Sequence, residues 1–128
     1  MNLLEQFARH IEFLGFGTVA DSETAGDIFW GWMPDTPDAC VTVYSTDSSY
    51  AGSPGGARIQ MMVRDKYPAD AYERSQAIVE ALAEYDGYLA GDGARAYIEV
   101  LNASAGLGGD TKKREIFSSN FRVYYCDT

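Results

Sequence analysis

Leu3, Leu4, Phe7, Ala8, Ile11 and Leu14 recur at three- and four-residue spacing, the repeat of a helix with one buried face. Asn2 stands where its side chain can cap the first turn, and Gly15 or Gly17 can end the helix. A polar stretch follows, and then the aromatic run Asp27-Ile28-Phe29-Trp30-Gly31-Trp32-Met33, stopped by Pro34 and Pro37. That composition predicts a strand over 27–33 with both indoles on one face, one of them in the core. Cys40-Val41-Thr42-Val43-Tyr44 is β-branched and aromatic and predicts a second strand; the small polar residues of 45–56 predict a long exposed loop.

From 58 to 64 the alternation is strict. Ile59, Met61 and Val63 share one face and Arg58, Gln60, Met62 and Arg64 the other, as in a half-buried strand. Pro68 sits where a helix accepts proline, with Asp70 and Glu73 in the first turn, Ala71, Ser75, Ile78, Val79, Leu82 and Tyr85 in one apolar stripe, and Asp86-Gly87 as the stop. Residues 94–101 alternate again, with Ala96, Ile98 and Val100 opposite Tyr97, Glu99 and Leu101. Gly106-Leu107-Gly108-Gly109-Asp110 predicts a glycine-rich turn, and 115–126 the longest strand, with Phe117, Ser119, Phe121, Val123 and Tyr125 on one face. The order of elements lacks the regular alternation of a parallel sheet. It predicts an α+β fold: one mostly antiparallel β-sheet packed against two α-helices, in a single domain spanning 1–128.

Charge narrows the choice of partners. The chain carries a net charge of −9, which opposes binding to nucleic-acid phosphates and to anionic lipid. Its distribution is lopsided: residues 1–57 hold Glu5, Glu12, Asp21, Glu23, Asp27, Asp35, Asp38 and Asp47 against Arg9 alone, while Lys112-Lys113-Arg114 forms a basic triplet far downstream. Unlike charge on two surfaces suits head-to-tail self-association. Solvated faces that keep the chain soluble are the simpler alternative. No stretch approaches the ~20 apolar residues of a membrane span, and the N-terminal helix is too charged for a signal peptide. A chain folded in reducing cytoplasm, with Cys40 and Cys126 as free thiols, is expected; a disulfide between them is the minor alternative.

Catalytic and metal chemistry find little support. The glycine loop leads through Thr111 and Lys112 into a strand, whereas a phosphate cradle needs Gly-Lys-Ser/Thr opening a helix. His10 is the only histidine and reads as an ordinary helix residue. Asp21, Glu23, Asp27 and Asp110 match no metal-ligand spacing and read as solvated loop carboxylates. None of the serines stands in a nucleophile motif. No cofactor, metal or catalytic residue is therefore expected.

The strand Ile59-Gln60-Met61-Met62-Val63-Arg64-Asp65, the helix opened by Tyr67-Pro68 with Ala77, Ile78 and Leu82, and the strand ending before Gly108-Gly109-Asp110 resemble the tail-terminator and minor-capsid proteins of long-tailed bacteriophages. Arg114-Glu115-Ile116-Phe117-Ser118-Ser119-Asn120-Phe121, the last strand and the N-terminal helix extend the resemblance over most of the chain. It implies a non-enzymatic virion protein, assembled in the host cytoplasm, that forms a ring, typically six-fold, on the tail tube. The ring would stop tube polymerisation, present a docking face to the head connector, and let DNA through its lumen without specific binding. The unlike charges suit such a ring. Lys112, Lys113 and Arg114 are expected to meet acidic side chains of a neighbour or of the tube, and the 45–56 loop, with Asp47 and Tyr50, is a second candidate contact. A head-tail connector or other minor capsid protein, and a small-molecule or peptide-binding α+β module, are the competing readings.

Overall fold

The computed structural model describes residues 2–46 and 56–126. Helix α1 (Leu3–Phe13) begins as the sequence dictates: the Asn2 side chain accepts the Glu5 backbone N–H at 2.7 Å. Helix α2 (Pro68–Leu82) opens on its proline and buries Ala71, Ser75, Ile78, Val79 and Leu82 of the expected stripe, while Tyr85 lies beyond its end and is half-buried. The strands are β1 (Ile28–Trp30), β2 (Cys40–Ser45), β3 (Ala57–Asp65), β4 (Asp86–Tyr88), β5 (Arg95–Gly109) and β6 (Glu115–Cys126), with one turn of 3₁₀ helix at Leu89–Gly91.

The six strands form one sheet in the order β1-β2-β3-β6-β5-β4. The α+β class stands, but the mostly antiparallel sheet expected from the sequence is corrected to a mixed one, curled into a half-barrel. β1 lies parallel to β2, because the chain from 31 to 39 swings back to the same end of the sheet before β2 begins. Two expected boundaries move as well. The second helix stops at Leu82, and Asp86-Gly87, read as its terminator, enters β4. Gly106 to Gly109, read as a turn, belongs to β5, whose register against β6 shifts at three places between Val100 and Gly109. β4 covers only Arg95 to Tyr97 of β5, so beyond Ile98 no described strand pairs with the outer edge of β5.

Both helices sit inside the curl. α2 lies over β3, β5 and β6, and α1 contacts β1, β2 and the 3₁₀ turn. The core collects Phe7, Ile11, Ile28, Val41, Val43, Ile59, Met61, Val63, Ile78, Leu82, Ile98, Phe121 and Val123, with the Phe7 and Phe121 ring centroids 5.6 Å apart. A short hydroxyl chain fixes α2 to the sheet. Ser75 Oγ and Ser104 Oγ lie 2.8 Å apart, and Ser119 Oγ accepts the Ser104 backbone N–H.

His10 is more than a plain helix residue. It is fully buried against Tyr85, and its Nδ1 accepts the Ala90 backbone N–H at 2.9 Å, which ties α1 to the opposite end of the sheet. Burial lowers its pKa from 6.5, so the fold holds the neutral ring while the unfolded chain takes up a proton near the ordinary value. Stability is complete above the unfolded pKa and falls as pH drops through it. We expect the melting temperature to decline from about pH 7 to about pH 5, and His10→Gln to flatten that slope; equal slopes in thermal melts of the two proteins would exclude His10 as its source.

Candidate assembly surface

One end of the sheet, where β2 starts, β3 ends and β6 starts, is built around two arginines. The loop 34–38, rich in proline and aspartate, has no ladder to satisfy its carbonyl groups, and Arg64 supplies the donors. Its Nη2 donates to the carbonyl oxygens of Pro34 at 2.8 Å, Pro37 at 2.7 Å and Asp35 at 3.4 Å, and its Nε to that of Asp38 at 3.1 Å. Arg64 shares the sheet face opposite the core, as alternation requires, yet the loop leaves it only 3% exposed.

Arg114 grips the same loop from β6. Its guanidinium lies between the carboxylates of Asp35 at 3.1 Å, Asp38 at 3.3 Å and Asp110 at 2.8 Å, and also donates to the Asp35 carbonyl oxygen. Asp110 accepts the backbone N–H groups of Lys112 and Arg114 together with the Arg114 side chain, which holds its carboxyl at about 2, well below the usual range. The solvated role expected for Asp110 is therefore replaced by a structural one.

These contacts split the basic triplet. Arg114, expected to face a neighbour, is buried in its own subunit; a change there would strike the fold and not assembly alone. Lys112 is exposed but pairs with Asp35. Lys113 is exposed and, among the described residues, has no acidic partner. Asp47 and Tyr50 lie outside the described residues.

A second feature flanks the pinned loop at the β1 edge. Gly31 takes φ +88°, a conformation open to glycine at little cost, and there β1 ends. The two indoles expected on one face are consequently separated. Trp30 is half-buried against the core, while Trp32 is 63% exposed and meets the ring of Phe29 edge-on at 6.3 Å. These rings line a groove of about 470 Å³ together with Glu5, Arg9 and Asp21. Arg9 lies 3.6 to 3.7 Å from Glu5, Glu12 and Asp21. Asp21 also accepts the N–H groups of Glu23 and Thr24, hydrogen bonds that lower its pKa and keep it charged.

Nothing in this arrangement assembles nucleophile, base and oxyanion donors around one point. Among the described residues no group of three or more His, Cys, Asp or Glu side chains could hold a metal ion. Among the described residues neither Cys40 nor Cys126 is in a disulfide; Cys40 is buried and Cys126 exposed. No described helix is long and apolar enough to cross a membrane. A family profile described as bacteriophage tail terminator protein matches residues 11–125.

The chain belongs to the bacteriophage tail terminator family.

No curated protein matches it. Membership gives this terminator-family chain a structural role in the phage tail, as a virion component of a family typically without catalytic activity. The matched span takes in Arg64, Arg114, the pinned loop and the three aromatic rings of the groove, though not Glu5 and Arg9. The basic triplet drew attention in the sequence as a run of charge. Arg64 did not, because a single basic residue on the polar face of a strand looks like any solvated position. The signal available for it was the proline- and aspartate-rich segment just before β2, whose carbonyl groups need donors from elsewhere.

Proposed function

We propose that the protein assembles as a six-fold ring on the head-proximal end of a completed tail tube, halts addition of further tube subunits, and offers its other face to the head connector. The observation that carries this proposal is the family match over residues 11–125. The charge distribution supports it, since a heterologous ring needs two unlike patches per subunit and the chain has an acidic N-terminal half beside the exposed Lys112 and Lys113. Partners are then other copies of the chain, the tail tube protein and the connector. DNA passes through the lumen without specific binding, because a carboxylate-rich wall repels its phosphates.

Tube protein from the same gene cluster, polymerised with increasing amounts of the chain and measured by negative-stain microscopy, tests the proposal. Tubes should shorten and carry an extra density at one end at a few copies per tube. Lengths unchanged by a large excess of chain would refute it.

A further inference from the structure

The ring proposed above requires a donor patch and a receptor patch on each subunit, and the structure offers a matched pair. The receptor is the groove at the β1 edge. Its floor is aromatic, with the exposed Trp32 against Phe29, and Asp21 and Glu23 on its rim are exposed carboxylates. Arg9 lines the inner part of the groove and lies 3.7 Å from Asp21, so Glu23 is the rim carboxylate with no basic partner among the described residues; a large, exposed indole beside it is the composition of an interface centre, because aromatic anchors give most of their binding energy when a partner covers them.

The donor lies near the opposite edge. Leu107, 55% exposed on the unpaired stretch of β5, stands close along the hairpin to Lys113, whose backbone N–H bonds to the Asp110 carbonyl oxygen at 3.0 Å and whose ammonium has no acidic partner among the described residues. Lys66, also exposed and without such a partner, follows β3 at the same end of the sheet. An apolar side chain near Lys113, with Lys66 at the same end of the sheet, is the complement of an aromatic floor with carboxylates on its rim. Lys112 and Arg114 hold the loop 34–38 that lies between the two patches and lines the groove at Thr36 and Pro37, yet among the described residues no ion pair joins Lys113 or Lys66 to Asp21 or Glu23 within the subunit. Patches that are unlike, complementary and not paired with one another in a subunit can join copies head to tail.

We infer that the Trp32 groove of one subunit receives the Leu107 and Lys113 hairpin of a second copy of this chain. The inference rests on the ring-forming function proposed above, and its test separates the two.

Sedimentation of the full chain across a wide concentration range, at low and moderate salt, is the measurement. The intact chain is expected to associate beyond a dimer and to loosen as salt screens the lysines. The groove variant Trp32→Ser/Glu23→Lys and the hairpin variant Leu107→Ser/Lys113→Glu are each expected to associate at least about thirtyfold more weakly. All four positions are exposed, so folding should be retained; if the groove variant melts early, Glu23→Lys alone carries the same expectation in direction. Mixed in equal amounts, the two variants should form a heterodimer and nothing larger, since one intact groove and one intact hairpin remain. Either variant assembling like the intact chain, a mixture without heterodimer, or an intact chain that stays monomeric throughout would overturn the inference. Failure of the terminator function would look different: rings would form through these patches while tube lengths stayed unchanged.

Discussion

Arg64→Ala is expected to lower the stability of the fold by about 3 kcal/mol and its melting temperature by about 10 °C. The side chain is buried and donates to four carbonyl oxygens of one loop, and hydrogen bonds from a charged donor are worth more than neutral ones. Alanine removes all four and opens space beneath the loop. Lysine should recover little, because one compact ammonium cannot reproduce the planar spread of a guanidinium. Cys40 reports the local effect. It is fully buried opposite Arg64 in the β2–β3 register, and burial raises its thiol pKa. Thiol labelling of the intact protein should reach Cys126 only, whereas in Arg64→Ala Cys40 should also react. Calorimetry with an unchanged melting temperature would show that Arg114 alone suffices to hold the loop.

Gly26→Ala is expected to cost a similar amount, about 3 kcal/mol, for a different reason. The segment 18–20 runs beside β1: Val19 bridges to Ile28, the Ala20 N–H bonds to the Ile28 carbonyl oxygen, and the Asp27 N–H bonds to that of Thr18. Gly26 closes this tight return. A Cβ placed there would lie 2.8 Å from the Ala20 backbone nitrogen, 2.9 Å from the Val19 carbonyl carbon, and closer still to the Thr18 carbonyl oxygen. Backbone cannot yield as a flexible side chain can. The acidic rim of the groove should therefore shift, and association should weaken along with stability. Gly31→Ala is the informative control, since its Cβ meets nothing and only the strain of φ +88° is imposed, about 1 kcal/mol. Equal melting temperatures for the two variants would show that the return at Gly26 relaxes freely.

The elements that were legible in the sequence are those with a sustained period. α1, α2, β3 and β6 each keep one repeat from end to end, broken only by the small buried residues Ser75 and Ser119, so pattern alone locates them and their buried faces. The parts that were not legible depend on contacts distant in sequence. Gly106 to Gly109 carries turn chemistry but continues as strand because β6 pairs alongside it. Asp86 and Gly87 follow a helix and look like its end, yet β5 recruits them into the sheet. The parallel entry of β1 depends on the course of a proline-rich loop that no periodicity describes. At the assembly surface, the lopsided charge was visible in the sequence, as was the exposure of Lys112 and Lys113. That Arg114 turns inward was not, because the three aspartates that surround it come from two loops, one of them about 75 residues away in the chain.

The unpaired edge of β5 has a consequence for solubility. Between Val100 and Gly109 there is neither charge nor proline, the usual guards against edge-to-edge aggregation, and a flat strand of that composition would template cross-β stacking. Three breaks in register and the left-handed residues Ser104 and Gly108 bend it instead, so incoming backbone finds no long straight run of donors and acceptors. Fibril formation is blocked by geometry where it is not blocked by electrostatics. A subunit proposed to finish a polymer thus carries an edge shaped so that it does not begin one.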